Sequence, residues 1–195
     1  MLTIKEGEIM LVLFKDFTTW YNATNISRVI KITPRGSLKA LKNLEKQEYV
    51  ISKQFGKAIH YKINFNNLTK KTLELLLLEE AEKKHKRWVH EFKEFEKPKI
   101  LILFGSVLKN KDYKDIDLLI VIENKNYSTI MNLIDKKNKI LIKPVHPIIQ
   151  TMEDLKDNIL KKDEVILDAL RTGIVLNGQK EIIGIIENVT NTQPY

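Results

Sequence analysis

At 195 residues, with 43% hydrophobic and 30% charged side chains, the chain has the make-up of a globular protein of one large domain or two small ones. It contains no cysteine, which excludes disulfides and thiolate metal sites, and His60, His85, His90 and His146 are scattered without the spacing of a zinc site. No apolar run is long enough to span a bilayer and no signal-peptide pattern opens the chain, so a cytoplasmic protein with no membrane partner is expected.

The net charge of +8 is concentrated. Residues 20–62 hold nine Lys and Arg against only Glu45 and Glu48, which leaves +7 in that segment. A basic surface confined to one module is the electrostatic footprint of a polyanion partner, most often nucleic acid. Within it, residues 5–17 carry apolar Ile9, Met10, Val12, Leu13 and Phe14 and predict a first helix. Asn25 is a candidate cap for a short second helix through Ile26, Val29 and Ile30. Thr33-Pro34 predicts the start of a third, because Thr caps well and Pro suits the first helical position. That helix runs to about Lys46, with Leu38, Leu41 and Leu44 inward and Arg35, Ser37, Lys39 and Lys42 on the other face. Tyr49 to Lys53 and Ile59 to Ile63 predict two strands, joined by a hairpin at Phe55-Gly56-Lys57.

Three helices followed by a basic hairpin resemble a winged helix-turn-helix domain, over about residues 1–66. That resemblance implies a double-stranded DNA partner. Arg35, Ser37, Lys39 and Lys42 would face the major groove, and Lys53 and Lys57 of the wing would meet phosphates.

Residues 67–97 predict a long linking helix that ends at Pro98. Its apolar stripe, from Leu68 through Leu73–Leu78 and Ala81, suits either a domain junction or the interface of a homodimer. Trp88, Phe92 and Phe95 fall near one face and are expected in a core or interface. His85 and His90, five residues apart, do not share a helix face at zinc spacing.

The segment from residue 98 to 195 holds the motif with most chemical content. Two apolar runs flank a Gly-Ser turn: Ile100-Leu-Ile-Leu-Phe-Gly105-Ser106, then Asp115-Ile-Asp117-Leu-Leu-Ile-Val-Ile122. On a strand, residues i and i+2 face the same way, so Asp115 and Asp117 project together. Two adjacent carboxylates repel, and a divalent cation relieves that repulsion. A small turn beside such a cation lets backbone N–H groups approach a phosphate.

LILFGS followed by DIDLLIV resembles the polymerase-beta-like nucleotidyltransferase superfamily, especially its minimal members. The resemblance implies that Asp115 and Asp117 are catalytic and hold Mg²⁺ (or Mn²⁺), and that Gly105 and Ser106 contact the triphosphate of an NTP. The family also has a basic residue after the turn. Lys109, Lys111 and Lys114 all qualify, and Lys109 is carried as the candidate.

The remainder alternates: a helix over Tyr127–Lys137, a strand over Lys139–Ile149, helices over Met152–Leu160 (capped by Thr151) and Asp163–Thr172, then Gly173-Ile-Val-Leu-Asn-Gly178. The whole chain is therefore expected to be α/β in the α+β sense, with a mixed sheet. One departure stands out. Active members of the family carry a third carboxylate on the next strand, where it serves a second metal and the attacking hydroxyl. That strand here reads Ile140-Leu-Ile-Lys-Pro-Val-His146-Pro-Ile-Ile, with no acid. His146 falls near the position and reads as a base, as a weak ligand or, the reading preferred from sequence, as a plain strand residue. Glu123, Glu153 and Asp154 are substitutes only where the fold brings them close.

Two readings follow. In the first, the protein transfers a nucleoside monophosphate to a hydroxyl, and the resemblance to antitoxin members of the family implies a protein acceptor. In the second, it is a DNA-binding regulator or antitoxin-like protein whose transferase domain is catalytically degenerate.

Overall fold

The computed structural model describes residues 2–109 and 112–192. It divides into two compact units, Met1–Leu76 with Ile186–Tyr195, and Leu77–Ile185.

The first unit carries three helices followed by a hairpin, the element order expected from the sequence. Helix α1 (Ile4–Lys15) starts at a reciprocal cap: the Glu6 N–H donates to Thr3 Oγ1 and the Thr3 N–H donates to Glu6. Such a cap satisfies N–H groups that a helix start leaves orphaned and contributes about 1 kcal/mol. Strand β1 (Tyr21–Asn22) leads into α2 (Ala23–Val29). The cap of α2 is Asn22, not Asn25: Asn22 Oδ1 accepts from the Asn25 N–H at 2.9 Å. Helix α3 (Pro34–Lys46) has Thr33 as cap and Pro34 in its first turn, as expected. Strands β2 (Val50–Phe55) and β3 (Ala58–Ile63) form an antiparallel hairpin, joined by a two-residue turn in which Gly56 takes φ +59°. The sheet order is β1-β3-β2, and the short β1 has no signal in the sequence pattern. Ile9, Met10, Leu13, Phe14, Ile26, Leu41, Leu44 and Tyr61 make the buried core.

The helix expected over 67–97 is interrupted. Helix α4 (Asn67–Glu79) passes into a π-turn at Glu80–Lys84, the backbone breaks at His85, and α5 (Lys86–Glu91) follows. Buried Leu73, Leu77, Ala81, Trp88, Phe92 and Phe95 keep nearly helical spacing across the break, so periodicity alone cannot reveal it.

The second unit is built on a mixed sheet ordered β6-β5-β4-β7. Strand β4 (Ile100–Phe104) pairs antiparallel with β5 (Ile116–Val121) and with β7 (Ile174–Asn177). Strand β6 (Val145–Gln150) pairs parallel with β5. Both central strands are covered on both faces, which explains their unbroken apolar runs. One face packs Leu101, Leu103, Leu118 and Ile120 against Trp88, Phe92 and Phe95, and against Ile130 and Ile134 of α6 (Tyr127–Asn138). Helices α7 (Met152–Leu160) and α8 (Glu164–Thr172) follow the expected limits closely.

The strand expected over Lys139–Ile149 is shorter. Helix α6 continues through Asn138, and the chain then turns, with Ile140 and Leu141 N–H groups donating to the Lys137 carbonyl. Ile140 and Ile142 are exposed, so their alternation does not mark a buried face. The strand begins only at Val145, whose N–H donates to Asn138 Oδ1 at 2.7 Å. A final helix, α9 (Gln179–Thr192), carries buried Ile182, Ile183, Ile186 and Val189 and has no counterpart among the expected elements.

Candidate functional site

The site forms at one end of the second unit's sheet, where β4 leaves it and β5 enters. Phe104 pairs with Asp117, so the next residue, Gly105, turns directly beside the Asp117 side chain. Gly105 has φ +80°, a left-handed conformation that a Cβ penalises. A Cβ there would also lie 2.0 Å from Asp117 Oδ2. Glycine is therefore required twice over: for the turn, and for room to hold the carboxylate. Gly105 and Ser106 open a single 3₁₀ turn, Gly105–Leu108, and the Lys109 N–H closes it on the Ser106 carbonyl at 3.0 Å. Lys109 is exposed at the end of that turn, and Lys114 is exposed immediately before Asp115. Lys111 lies outside the described residues.

Asp115 precedes β5 and Asp117 lies within it, both half-buried. Strand β6 completes the corner. Its register sets His146 opposite Asp117, and residues paired across neighbouring strands share a face. His146 Nδ1 lies 3.1 Å from Asp117 Oδ1. His146 is a strand residue, as the sequence reading preferred, and it stands beside Asp117, near where the third acid was sought. Two prolines hold it there. Pro144 precedes Val145, and Pro147 restricts His146 to extended backbone.

Ligand atoms of Asp115, Asp117 and His146 all lie within 4.8 Å of one another. That is about twice a metal–ligand bond of roughly 2.0–2.6 Å, so the three side chains fit around one divalent ion. Among the described residues, the Asp115 side chain has no hydrogen bond or ion pair and the Asp117 side chain has only His146. The carboxylate charge is not neutralised by any described lysine or arginine.

The other acids proposed for the third position are elsewhere. Glu123 follows the far end of β5, eight residues beyond Asp115, a rise of roughly 26 Å along a strand. It bridges Lys99 at 3.0 Å and Lys125 at 2.6 Å. Hydrogen bonds from Lys125 and Lys99, with their charges, hold its carboxyl down at about 2. Asp154 is occupied in capping α7: it accepts from the Thr151 N–H and hydroxyl, and the hydroxyl bond is the main cause of its lowered pKa. Glu153 is exposed in the same helix turn.

In the first unit, Arg35, Lys39 and Lys42 are exposed on α3, and with Lys46 they follow i, i+4, i+7, i+11 spacing, a single helix face. No described residue forms an ion pair with Arg35, Lys39 or Lys42. Ser37 does not belong with them. It is fully buried, on the core side with Leu41 and Leu44, while Leu38 is partly exposed. The inward and outward positions at the start of the helix are thus rotated from the expected pattern. Lys53 on β2 is exposed, with its ammonium 5.3 Å from the centre of the Phe55 ring. Lys57 stands exposed in the hairpin turn.

Residues 86–172 match the family described as polymerase beta, nucleotidyltransferase. The matched part of the chain includes the Gly-Ser turn, both aspartates and His146. No curated protein matches the chain. Among solved structures, a mutant of ZitR from Lactococcus lactis is similar at 20% identity with a TM-score of 0.34. The match covers 49% of this chain and 60% of that one, so the chain spans little more than half of that protein's length. A second mutant of Lactococcus lactis ZitR is similar at 15% identity and TM-score 0.34, over 71% of this chain and 74% of that one. These likenesses are too loose to bear on fold or function. Among the described residues, no helix is long and apolar enough to cross a membrane.

Proposed function

We propose that the protein is a divalent-metal-dependent nucleotidyltransferase with a DNA-binding winged helix. The observation that carries this reading is the corner formed by Gly105, Asp115 and Asp117 within a polymerase beta nucleotidyltransferase domain. A hydroxyl oxygen on the acceptor attacks the α-phosphorus of an NTP. The new O–P bond forms as the bond to the β-phosphate bridge oxygen breaks, pyrophosphate leaves, and the hydroxyl proton passes to base or solvent. Asp115 and Asp117 would hold Mg²⁺ or Mn²⁺, which supplies charge neutralisation for the triphosphate when bound. Gly105 and Ser106 would present backbone N–H groups to the phosphates, and Lys109 would add a cation. An acceptor hydroxyl on a protein is the substrate class this reading favours, and a cytoplasmic location, where NTPs and DNA are both at hand, suits it.

Arg35, Lys39, Lys42, Lys53 and Lys57 would contact duplex DNA, chiefly through phosphates. A homodimer reading two half-sites is the assembly that suits such a module.

The test is transfer of label from each α-labelled NTP with Mg²⁺ or Mn²⁺, against an Asp115→Asn, Asp117→Asn double variant whose fold is checked by circular dichroism. Incorporation by the native chain that falls at least ~10³-fold in the variant is the expected result. A second reading has its own support: the third position holds an imidazole, not a carboxylate. On that reading, the domain binds nucleotide without turnover and the protein is a DNA-binding regulator. Nucleotide binding with no transfer to any acceptor would favour it.

A further inference from the structure

The third side chain of the metal corner changes which ion the corner prefers. We propose that Asp115, Asp117 and His146 form a single-ion site that selects first-row transition ions such as Mn²⁺ or Co²⁺ over Mg²⁺. The inference rests on the metal reading given above and deepens it.

The register of β5 against β6 sets His146 beside Asp117, its Nδ1 lies 3.1 Å from Asp117 Oδ1, and a ring nitrogen lies within 4.8 Å of a ligand oxygen of each aspartate. The side chain is 68% exposed, so it faces the open end of the sheet and an entering ion, not the core. Pro147 fixes the backbone that carries it. Mg²⁺ is a hard ion that favours oxygen and dehydrates reluctantly, whereas imidazole nitrogen suits Mn²⁺, Co²⁺ and Zn²⁺ increasingly well. Replacing one oxygen donor by nitrogen therefore penalises Mg²⁺ and favours the transition ions.

Stoichiometry changes as well. A carboxylate has two oxygens and can bridge a pair of ions about 4 Å apart. An imidazole offers one lone pair on each of two nitrogens, and those diverge. With Nδ1 turned into the corner, Nε2 points away from it. The chain alone then holds one ion, and a second would have to arrive with the nucleotide.

The experiment uses the full chain and reads binding, not turnover. Mn²⁺ and Mg²⁺ are titrated calorimetrically, with and without a non-hydrolysable triphosphate, into the native chain, His146→Gln and His146→Asp. Bound Mn²⁺ is also examined by pulsed electron paramagnetic resonance for a directly bonded nitrogen. The expected result is one Mn²⁺ per chain, nitrogen coupling in the native protein, and its loss in His146→Gln with roughly tenfold weaker Mn²⁺ binding and little change for Mg²⁺. His146→Asp should narrow the preference by improving Mg²⁺. Mn²⁺ bound without nitrogen coupling, or with equal affinity in His146→Gln, would overturn the inference and leave the two-aspartate reading standing. Absence of any Mn²⁺ or Mg²⁺ binding by the native chain under either condition would remove both.

Discussion

The two ends of strand β5 carry the same kind of side chain and treat it in opposite ways. At the far end, Glu123 is embraced by Lys99 and Lys125 and stays ionised down to about pH 2. At the near end, Asp115 and Asp117 sit side by side with only an imidazole for company among the described residues. A surface acid that has its cations is structural ornament of small energetic weight. A half-buried pair without cations among the described residues is held in a repulsive arrangement where the chain enters β5 beside Gly105, and it gains from any divalent ion that arrives. The first unit repeats the contrast. Glu6 is a buried acid with Thr3 and Asn43 as donors, while Lys39 and Lys42 are cations with no acid paired to them among the described residues.

Four experiments bear on this contrast, the largest effect first. Gly105→Ala adds a Cβ where Asp117 Oδ2 now lies and forces a left-handed backbone on alanine. Metal affinity measured by titration should fall roughly 10–100-fold, as when a ligand's support is disturbed. An unchanged affinity would mean that the Asp117 carboxylate is not held by this turn. Glu6→Gln should cost about 1–3 kcal/mol in urea unfolding, because one set of its donors must then face an amide NH₂.

Glu6 also makes an acid-branch prediction. Burial raises its pKa, but the hydrogen bonds from Asn43 and Thr3 together outweigh that, and the net direction is down. Its contribution is therefore complete above the ordinary carboxylate range, and it is lost as pH falls through the lowered folded value. Glu6→Gln should flatten the native protein's decline in stability below about pH 4.5. A decline of the same slope in both would show that other carboxylates dominate acid unfolding.

Third in size, Lys39→Ala and Lys42→Ala should each weaken DNA binding across sequences and reduce the magnitude of the salt slope by about 1. A slope that does not move would separate the α3 stripe from the phosphate backbone. Smallest is Glu123→Gln. It should leave Mn²⁺ and Mg²⁺ binding unchanged, since its partners lie at the other end of the strand. Because its folded pKa is depressed, its stabilising share is present above the usual carboxylate range and disappears only as pH approaches 2. A change in metal affinity in this variant would erase the distinction between the two ends.

Much of this is readable in the sequence because the signals are local. Thr33-Pro34 starts α3 where cap chemistry says it must, and the Asp-x-Asp pattern at the mouth of an apolar run marks the carboxylate pair, although Asp115 lies just before β5 and not on it. Signals that depend on a neighbour are not readable. Whether Ser37 points in or out depends on how α3 is rotated against the core, and a small hydroxyl gives no hydropathy signal for it. Ile140 and Ile142 imitate a strand, but Asn138 and Lys137 fold that segment into a turn. His146 gains its meaning from a register across 29 residues of sequence, which no local pattern encodes. Helix α9 is a different case, since Ile182, Ile183, Ile186 and Val189 spell an amphipathic face that is there to be read.

Strand β6 lies at an edge of its sheet, and its hydrogen bonds have a further effect. Ile116 and Ile122 donate to the carbonyls of Pro144 and Gln150, so even-numbered residues of β6 face β5 and odd-numbered ones face outward. Pro147 therefore stands where an N–H would otherwise be offered to a passing strand, and it has none to offer. The residue that pins the imidazole also blunts the open margin of the sheet, so a second chain cannot zip onto this margin in continuous register.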